Sequence, residues 1–322
     1  MRHSIVARPP DSPVVLPAVR READDLATLL EDAAHLAGGH AAGVARPRTE
    51  GEVAALLRGA VPVLPIGAQS SVTGGATPMG EVLLSTAAFR RIGPVFADPP
   101  GQRLPPGVRG DGSVRVQAGV SLADLEAALD AAGWTYPPAP TWTAATVGGI
   151  VATNAAGPAT FKHGVTRDWV AGLTVVLPSG DVVDLRRGEV AASPDGVVEL
   201  VTAAGCRHVP IAALHWPDVP KRSAGYALTA GLDLVGLFIG PEGTLGVVTE
   251  VTLRVAARPT TRVRALVPCA SEPGALALVA QLRALSHETW RRGLPGGIDV
   301  SAVEHLDPRS IAIVREDGAD RR

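Results

Sequence analysis

The chain has 322 residues, of which 36 are Gly and 28 are Pro, and its formal net charge is −2. Charged residues make up 19% of it, fewer than the roughly 25% of ordinary globular domains, and Lys and Arg form no cluster beyond pairs, which argues against nucleic acid as a partner. No segment approaches eighteen uninterrupted apolar residues and the N-terminus has no apolar signal core, so we expect a cytoplasmic protein without a membrane span.

The first predicted elements are helices and strands near the N-terminus. Apolar residues recur at helical spacing over residues 26–36, and Gly38-Gly39 follows them as a helix stop. A short strand comes next, and Thr49 and Glu52 form a capping box that predicts a helix after it. Residues 61–66 then read as an apolar strand.

A loop rich in Gly, Ser and Thr, "PIGAQSSVTGGATP" at residues 65–78, contains no charged side chain. It leads into a strand, "EVLLS", and not into a helix, which excludes a P-loop and a Rossmann turn. Successive backbone N–H groups in such a loop can bind a diphosphate without a lysine. The alternative is a tight turn between strands.

The middle of the chain alternates strands, helices and loops. Residues 94–112 predict an exposed loop, "SVRVQAGV" a half-buried strand, and Ser121 with Asp124 caps a helix. A second Gly- and hydroxyl-rich stretch follows at residues 136–158. The segment "LTVVLPSGDVVDL" predicts a hairpin with Pro178 and Gly180 in its turn.

The last third begins with an irregular stretch, residues 188–233, that predicts no regular element. Alternate apolar residues from Val247 to Val255 predict a strand. A new pattern starts beyond residue 257, with a strand "VRALVPC" and a helix carrying Leu276. The thiols of Cys206 and Cys269 match no metal or redox spacing, so we expect unpaired cysteines in a reducing compartment and no metal site.

Five segments in this order resemble the flavin-binding half of the vanillyl-alcohol oxidase superfamily, nearest to its glycolate oxidase and D-lactate dehydrogenase branch. They are "PIGAQSSVTGGATPMGEVLLST", "VRVQAGVSLADLEAAL", "TVGGIVATNAAGPATFKHGVTRDWVAGLTVVLPSGDVVDL", "KRSAGYAL" and "FIGPEGTLGVVTEVTLRV". The resemblance covers about residues 45–260. It implies an α+β fold, a two-subdomain PCMH-type FAD-binding fold followed by the start of a ferredoxin-like substrate or cap domain.

The resemblance also implies a set of FAD-binding residues. In the first loop they would wrap the diphosphate: Ile66, Gly67, Ala68, Gln69, Ser70, Ser71, Gly74 and Gly75. In the second stretch they would line the isoalloxazine and the ribityl chain: Pro140, Thr143, Thr146, Val147, Gly149, Asn154 and Gly157. Near the adenine they would be Glu242, Gly246, Val247 and Val248.

Two positions of the first loop depart from the family pattern Arg-Gly-x-Gly-Thr. Ile66 stands for the arginine, and Gln69 stands for the second glycine. We therefore expect either backbone strain at Gln69 or contact of its amide with the phosphates. No histidine stands in or near this loop, so the resemblance implies a dissociable, non-covalent FAD.

The resemblance predicts oxidation of a 2-hydroxy acid such as D-lactate or glycolate by hydride transfer to flavin. Its catalytic His-x-Gly-Asp-Gly-Asn and Gly-Glu-His-Gly segments do not occur here, so the catalytic residues stay unknown, and a partner subunit or a missing C-terminal domain would complete the site. Alternatives are an FAD-carrying, non-catalytic subunit and an enolpyruvyl sugar-nucleotide reductase. The predicted domains are a helical extension (1–40), the FAD-binding domain (41–258) and an incomplete substrate-domain segment (259–322).

Overall fold

The computed structural model describes residues 2–105, 107–212, 214, 219, 221–223 and 225–316. In these residues the strands are β1 (Ser4–Val6), β2 (Val19–Arg20), β3 (Gly43–Ala45), β4 (Val63–Ile66), β5 (Val82–Ser85), β6 (Ile92–Ala97), β7 (Gly112–Gln117), β8 (Trp134–Thr135), β9 (Val170–Val176), β10 (Val182–Arg186), β11 (Val197–Thr202), β12 (Gly205–Pro210) and β13 (Val247–Ala257). The helices are α1 (Ala23–Leu26), α2 (Glu50–Leu57), α3 (Leu122–Ala131), α4 (Val147–Ala152), α5 (Thr160–His163), α6 (Leu234–Leu237), α7 (Glu272–Arg292) and α8 (Pro308–Glu316). The fold is of the predicted α+β class.

The chain forms two compact units. The first contains residues 1–157 and 164–258, and the second contains residues 158–163 and 259–322. The predicted domain boundary at 258/259 coincides with this division, although the short segment 158–163 joins the second unit. The domain assignments themselves stay predictions.

A four-stranded sheet in the order β2-β3-β5-β4 carries the glycine-rich loop. Strand β5 pairs in parallel with both β3 and β4, so the loop leaves the carboxyl end of β4 and returns to the start of β5. Helix α2 packs its buried Val53, Ala54 and Leu56 on the core shared with β5. As predicted, the Thr49 hydroxyl caps α2 by accepting from the Glu52 N–H at 3.2 Å.

A six-stranded antiparallel sheet forms the main core of the first unit, in the order β10-β9-β13-β7-β6 with β8 paired to β13. Strand β13 is central because its alternate residues are apolar or small, and Val251, Leu253 and Val255 are fully buried. Helices α3 and α4 contribute Leu125 and Ile150 to the same core. The predicted hairpin corresponds to β9 and β10.

Several predicted elements differ from the structure. Residues 94–97 belong to β6, which pairs with β7, so the exposed loop is shorter than predicted. The stretch 188–233 contains the hairpin β11–β12, and β1 pairs with β11 in a third sheet. The predicted strand at 263–269 is wrong, because these residues are exposed and form no regular secondary structure.

The predicted helix over residues 26–36 is wrong, because α1 ends at Leu26 and turns follow it. Asp32 is the reason: it is 2% exposed, and its carboxylate accepts from the Ala34 N–H and from the Ala76 N–H in the glycine-rich loop. Contacts with that loop outweigh the helical propensity of the leucines.

The second unit is built on α7 and an aromatic cluster. Ser271 caps α7, and Gly293 ends it in the left-handed conformation at φ 60°. Phe161 of α5 contacts His287 and Trp290 with ring centroids 5.5 and 5.1 Å apart. His287 therefore packs in an aromatic cluster with Phe161 and Trp290.

Arg8 joins the N-terminal segment to α2 and β10. Its guanidinium donates to both carboxylate oxygens of Glu50 at 2.7 and 2.9 Å and to Asp184 at 2.6 Å. Burial acts to raise the pKa of Glu50, but hydrogen bonds from Arg8 and from the Asp11 N–H outweigh it and hold that pKa below its usual range. The pKa of Asp184 is lowered in the same way, with burial outweighed by Arg8 and by a hydroxyl hydrogen bond.

We expect Arg8→Met to lower the free energy of unfolding by about 1 kcal/mol at pH 7, a modest loss because the Arg8 side chain is 36% exposed. Carboxylates with lowered folded-state pKa values stabilise the fold fully above their unfolded pKa, about 4, and this stabilisation is lost as the pH falls through the folded values. The difference in urea midpoint between wild type and variant should therefore shrink from pH 7 to pH 3. Arg91→Met, at an exposed ion pair, is the control. A difference independent of pH would contradict the assignment.

Candidate functional site

The first loop presents a row of unpaired backbone donors. Among the residues that the structure describes, the N–H groups of residues 68–74 donate no hydrogen bond to protein. The loop then closes with bonded groups, since the N–H of Ala76 donates to Asp32 and that of Thr77 to the Gly74 carbonyl. A row of free N–H groups in an uncharged loop is suited to bind an anion such as a diphosphate.

Gln69 occupies a backbone conformation that favours glycine, with φ 49°. The strain expected at this position is therefore present, at a cost of about 1 kcal/mol for a residue with a Cβ. The side-chain amide donates to the carbonyls of Leu29 at 3.0 Å and of Ala76 at 2.8 Å. These two hydrogen bonds compensate the strain.

The second Gly- and hydroxyl-rich stretch lies directly against the first loop. A Cβ built on Gly67 would stand 2.3 Å from the Thr146 Oγ1, so only glycine fits without displacing a neighbour. Thr146 is the N-cap of α4, and its hydroxyl accepts from the Gly149 N–H at 3.3 Å. The structure thus brings together Gly67, Thr146 and Gly149, which were predicted from separate motifs.

The amides at the start of α4 are used within the protein. Val147 donates to the Val120 carbonyl and Gly148 to the Ala118 carbonyl, and Gly149 donates to Thr146. This end of the six-residue helix α4 therefore has no spare donor for a phosphate. The row of free donors therefore belongs to the first loop and not to the start of α4.

Glu242 contributes a third segment to the site. It has φ 51°, its N–H donates to the Ala152 carbonyl at the end of α4, and its carboxylate accepts from the Thr73 hydroxyl at 3.2 Å. A Cβ on Gly75 would lie 2.8 Å from the same carboxylate. Glu242 is therefore the charged side chain in contact with the tip of the first loop.

A cavity of about 300 Å³ lies beside β4. Its walls include Pro62, Pro65, Pro178, Gly246 and Val247, and no charged side chain of the described residues lines it. Two of the residues predicted near the adenine, Gly246 and Val247, are among them. A cavity of this size and character suits a planar aromatic ring.

The remaining predicted residues lie behind the loop or further along the second stretch. Asn154 is 1% exposed, and its amide is engaged by the Arg222 carbonyl and the Arg167 N–H. Gly157 packs so closely that a Cβ would lie 1.9 Å from the Ala139 carbonyl oxygen, next to Pro140. Of the other predicted residues, Ile66 ends β4, Ala68, Ser70 and Ser71 lie in the first loop, Thr143 lies in the second stretch and Val248 lies in β13. Their contacts with a cofactor stay predictions.

Two partly buried arginines bind backbone carbonyls next to Asn154. Arg167 donates to the carbonyls of Gly236 and Ile239, and Arg187 donates to the Arg167 carbonyl at 2.9 Å. Burial and the neighbouring Arg187 lower the pKa of Arg167 to about 10, so it is still a cation at neutral pH. Burial raises the pKa of Asp168, and hydrogen bonding and nearby arginines only partly oppose this.

Comparisons with known proteins agree with this geometry. A model described as an FAD binding domain matches residues 41–186. The chain is 33% identical over 235 residues to a D-lactate dehydrogenase of Anaerostipes hadrus. The aligned region is 71% of this chain and 39% of that protein. It is 31% identical over 226 residues to glycolate oxidase subunit GlcD of Bacillus subtilis, covering 68% of this chain and 38% of that protein.

This chain carries an FAD binding domain of the vanillyl-alcohol oxidase superfamily. The superfamily predicted from the five motifs is thereby confirmed. A crystal structure of 6-hydroxy-D-nicotine oxidase from Arthrobacter nicotinovorans has a similar fold, with a TM-score of 0.50 and 18% identity over 76% of this chain and 43% of that chain. The chain spans about two fifths of the length of the two curated relatives.

The residues present fit FAD. The close approach of Gly67 to Thr146 and the free donors of residues 68–74 leave a surface on which a diphosphate can lie against backbone. The described residues contain no group of three His, Cys, Asp or Glu side chains arranged for a metal ion. No described helix is long and apolar enough to cross a bilayer.

Two residues that hold the first loop were not predicted from the sequence. Asp32 lies in a stretch whose apolar spacing predicts a helix, and an unpaired Asp among leucines was its only signal. Thr73 lies within the loop at 65–78, and its hydroxyl links the loop to Glu242. Both act by holding the loop, which is a property of tertiary contacts and not of local pattern.

Proposed function

We propose that this chain is the FAD-carrying part of an oxidoreductase that oxidises a 2-hydroxy acid, such as D-lactate or glycolate. The observation that supports it most directly is the row of free N–H groups at residues 68–74, fixed at one end against Thr146 and at the other on Asp32. The names of the relatives, D-lactate dehydrogenase and glycolate oxidase subunit, support the substrate class.

In this proposal the first loop binds the diphosphate through its backbone, and the predicted residues of the second stretch lie along the ribityl chain and the ring. The apolar cavity lined by Gly246 and Val247 accepts the adenine. When bound, FAD supplies the hydride acceptor for oxidation of the hydroxy acid. The residues of this chain bind and orient the cofactor and exclude water from it. The base that accepts the hydroxyl proton is unassigned.

We propose further that the FAD is non-covalent, because the loop of residues 65–78 contains no histidine or cysteine. We assign the protein to the cytoplasm, since Cys206 and Cys269 are both free and exposed, which suits a reducing compartment.

A second candidate is an FAD-carrying subunit that requires a partner for catalysis. The similarity to a protein named as a glycolate oxidase subunit favours it. So does the exposure of large apolar side chains in the second unit, where Val263 is 85% and Leu266 is 90% exposed, because such surfaces often mark interfaces.

We expect the purified chain to be yellow and to bind added FAD with quenching of flavin fluorescence. Denaturation followed by ultrafiltration should release all of the flavin, and a protein-bound fraction would contradict non-covalent binding. A colourless protein that binds no FAD in a titration would overturn the proposed function.

Anaerobic mixing with D-lactate, glycolate and D-2-hydroxyglutarate tests the activity. Bleaching of the flavin absorption by one of them, with L-lactate as a control, would support an enzyme. Stable FAD binding without bleaching by any hydroxy acid would favour the carrier subunit.

A further inference from the structure

Residues 29–34, here called the N-terminal brace, wrap the first loop from outside the matched FAD binding domain. The brace precedes residue 41, where the match begins. Within it Asp32 is 2% exposed, although its neighbour Glu31 is exposed. A carboxylate is rarely buried so completely unless it has partners.

Both oxygens of the Asp32 carboxylate accept hydrogen bonds from backbone N–H groups. One oxygen accepts from the Ala34 N–H at 3.0 Å, and the other accepts from the Ala76 N–H at 3.2 Å. The Asp32 N–H itself donates to the Thr77 hydroxyl at 3.1 Å. Among the described residues no Lys, Arg or His pairs with Asp32, so its negative charge is stabilised by these amides.

Gln69, in the loop, also forms hydrogen bonds with the brace. Its side-chain amide donates to Leu29 and Ala76 carbonyls, and its own carbonyl accepts from the Ala33 N–H at 3.0 Å. Ala76 is thus held at its N–H by Asp32 and at its carbonyl by Gln69. Four hydrogen bonds therefore attach the brace to the loop, two at Gln69 and two at Ala76 and Thr77.

We propose that Asp32 is a positioning residue for the cofactor diphosphate, acting through the brace on the glycine-rich loop. This inference rests on the proposed binding of FAD. The free donors of residues 68–74 lie between two fixed ends, Gly67 against Thr146 and Ala76 on Asp32. A loop ordered before the ligand arrives loses less conformational entropy on binding, and affinity for the diphosphate rises accordingly.

The mechanism separates the two parts of the cofactor. The brace contacts the loop and makes no hydrogen bond to the second stretch at residues 136–158. Its loss should therefore weaken ligands with a diphosphate and spare a flavin that has none. A general loss of folding would weaken both.

The test compares Asp32→Asn with Glu31→Gln, a matched control that neutralises the adjacent, exposed carboxylate. The probes are FAD and riboflavin, the latter measured by competition up to millimolar concentration. We expect Asp32→Asn to weaken FAD binding about tenfold, the effect of losing one charge-assisted hydrogen bond, and to change the riboflavin affinity less than twofold. Glu31→Gln should change neither. An FAD affinity of Asp32→Asn within twofold of Glu31→Gln, or an equal loss for riboflavin, overturns the proposal.

Hydrogen exchange of the protein without cofactor gives an independent readout. In Asp32→Asn we expect the amides of Ala33, Ala34 and Ala76 to exchange faster, while those of β13 stay protected. If Asp32→Asn does not fold, Gln69→Ala must show the same pattern. If the wild type binds no FAD, the proposed function fails, and unchanged exchange at Ala76 in the variant would then refute the brace itself.

Discussion

We expect Gly67→Ala to bind FAD at least about 30-fold more weakly than the wild type, which corresponds to ~2 kcal/mol. The added Cβ would lie 2.3 Å from the Thr146 Oγ1, far inside contact distance. Either the loop moves away from the second stretch or the Thr146 hydroxyl gives up its cap on α4, and overpacking of this kind costs about 1–3 kcal/mol. Titration with flavin fluorescence measures the loss.

Removal of the Thr146 hydroxyl, the group that the new Cβ would meet, provides the control. In Gly67→Ala/Thr146→Ala the oxygen is gone, and the nearest remaining atom of residue 146 would be its Cβ, 3.5 Å away. The double variant should recover most of the affinity lost in Gly67→Ala, while the missing N-cap should lower its free energy of unfolding by about 1 kcal/mol. Gly274→Ala, in α7, should leave binding unchanged. A double variant as weak as Gly67→Ala would show that the collision is not the cause.

Patterns with one strong local cause could be predicted from the sequence. Ser121 and Asp124 predicted the start of α3, and the alternation from Val247 to Val255 predicted β13. The uncharged glycine-rich loop was placed correctly between two strands. Hydrogen-bonded caps and a half-buried face are properties of short windows, so a short window is enough to find them.

Elements set by distant contacts could not be predicted in this way. The leucines before Asp32 have helical spacing, but the Asp32 carboxylate is bonded to Ala76, 44 residues away. Helix α4 contains two adjacent glycines that oppose a helix, and Gly148 is required because a Cβ there would lie 2.8 Å from the Ala118 side chain. In both cases packing between motifs determined the local conformation.

The candidate site shows the same division. The motifs named the three segments that meet around Gly67, Thr146 and Glu242, and they named Gln69 as the unusual position. They gave no sign that the amide of Gln69 binds Leu29 and Ala76, or that the first amides of α4 are already used. Free and occupied donors are distinguished only once the hydrogen bonds between segments are known.

Asn154 should be among the residues most sensitive to substitution for stability, with a loss of about 3 kcal/mol for Asn154→Ala. Its side chain accepts from the Arg167 N–H and donates to the Arg222 carbonyl, both at 2.9 Å. Alanine leaves these two groups without partners in a site that is 1% exposed. It also places a Cβ at φ 47°, a left-handed conformation that asparagine tolerates better.

Glycine at this position separates the two causes. Asn154→Gly loses the same hydrogen bonds but accepts the positive φ, so it should be more stable than Asn154→Ala by about 1 kcal/mol. Urea denaturation of the three proteins measures both steps. Because the Asn154 amide ties the Arg222 region to the end of α4, the loss should be reported equally by tryptophan fluorescence and by far-UV circular dichroism. Equal stabilities of the alanine and glycine variants would show that backbone strain contributes nothing, and a loss below about 1 kcal/mol in both would show that the two hydrogen bonds do not hold this segment.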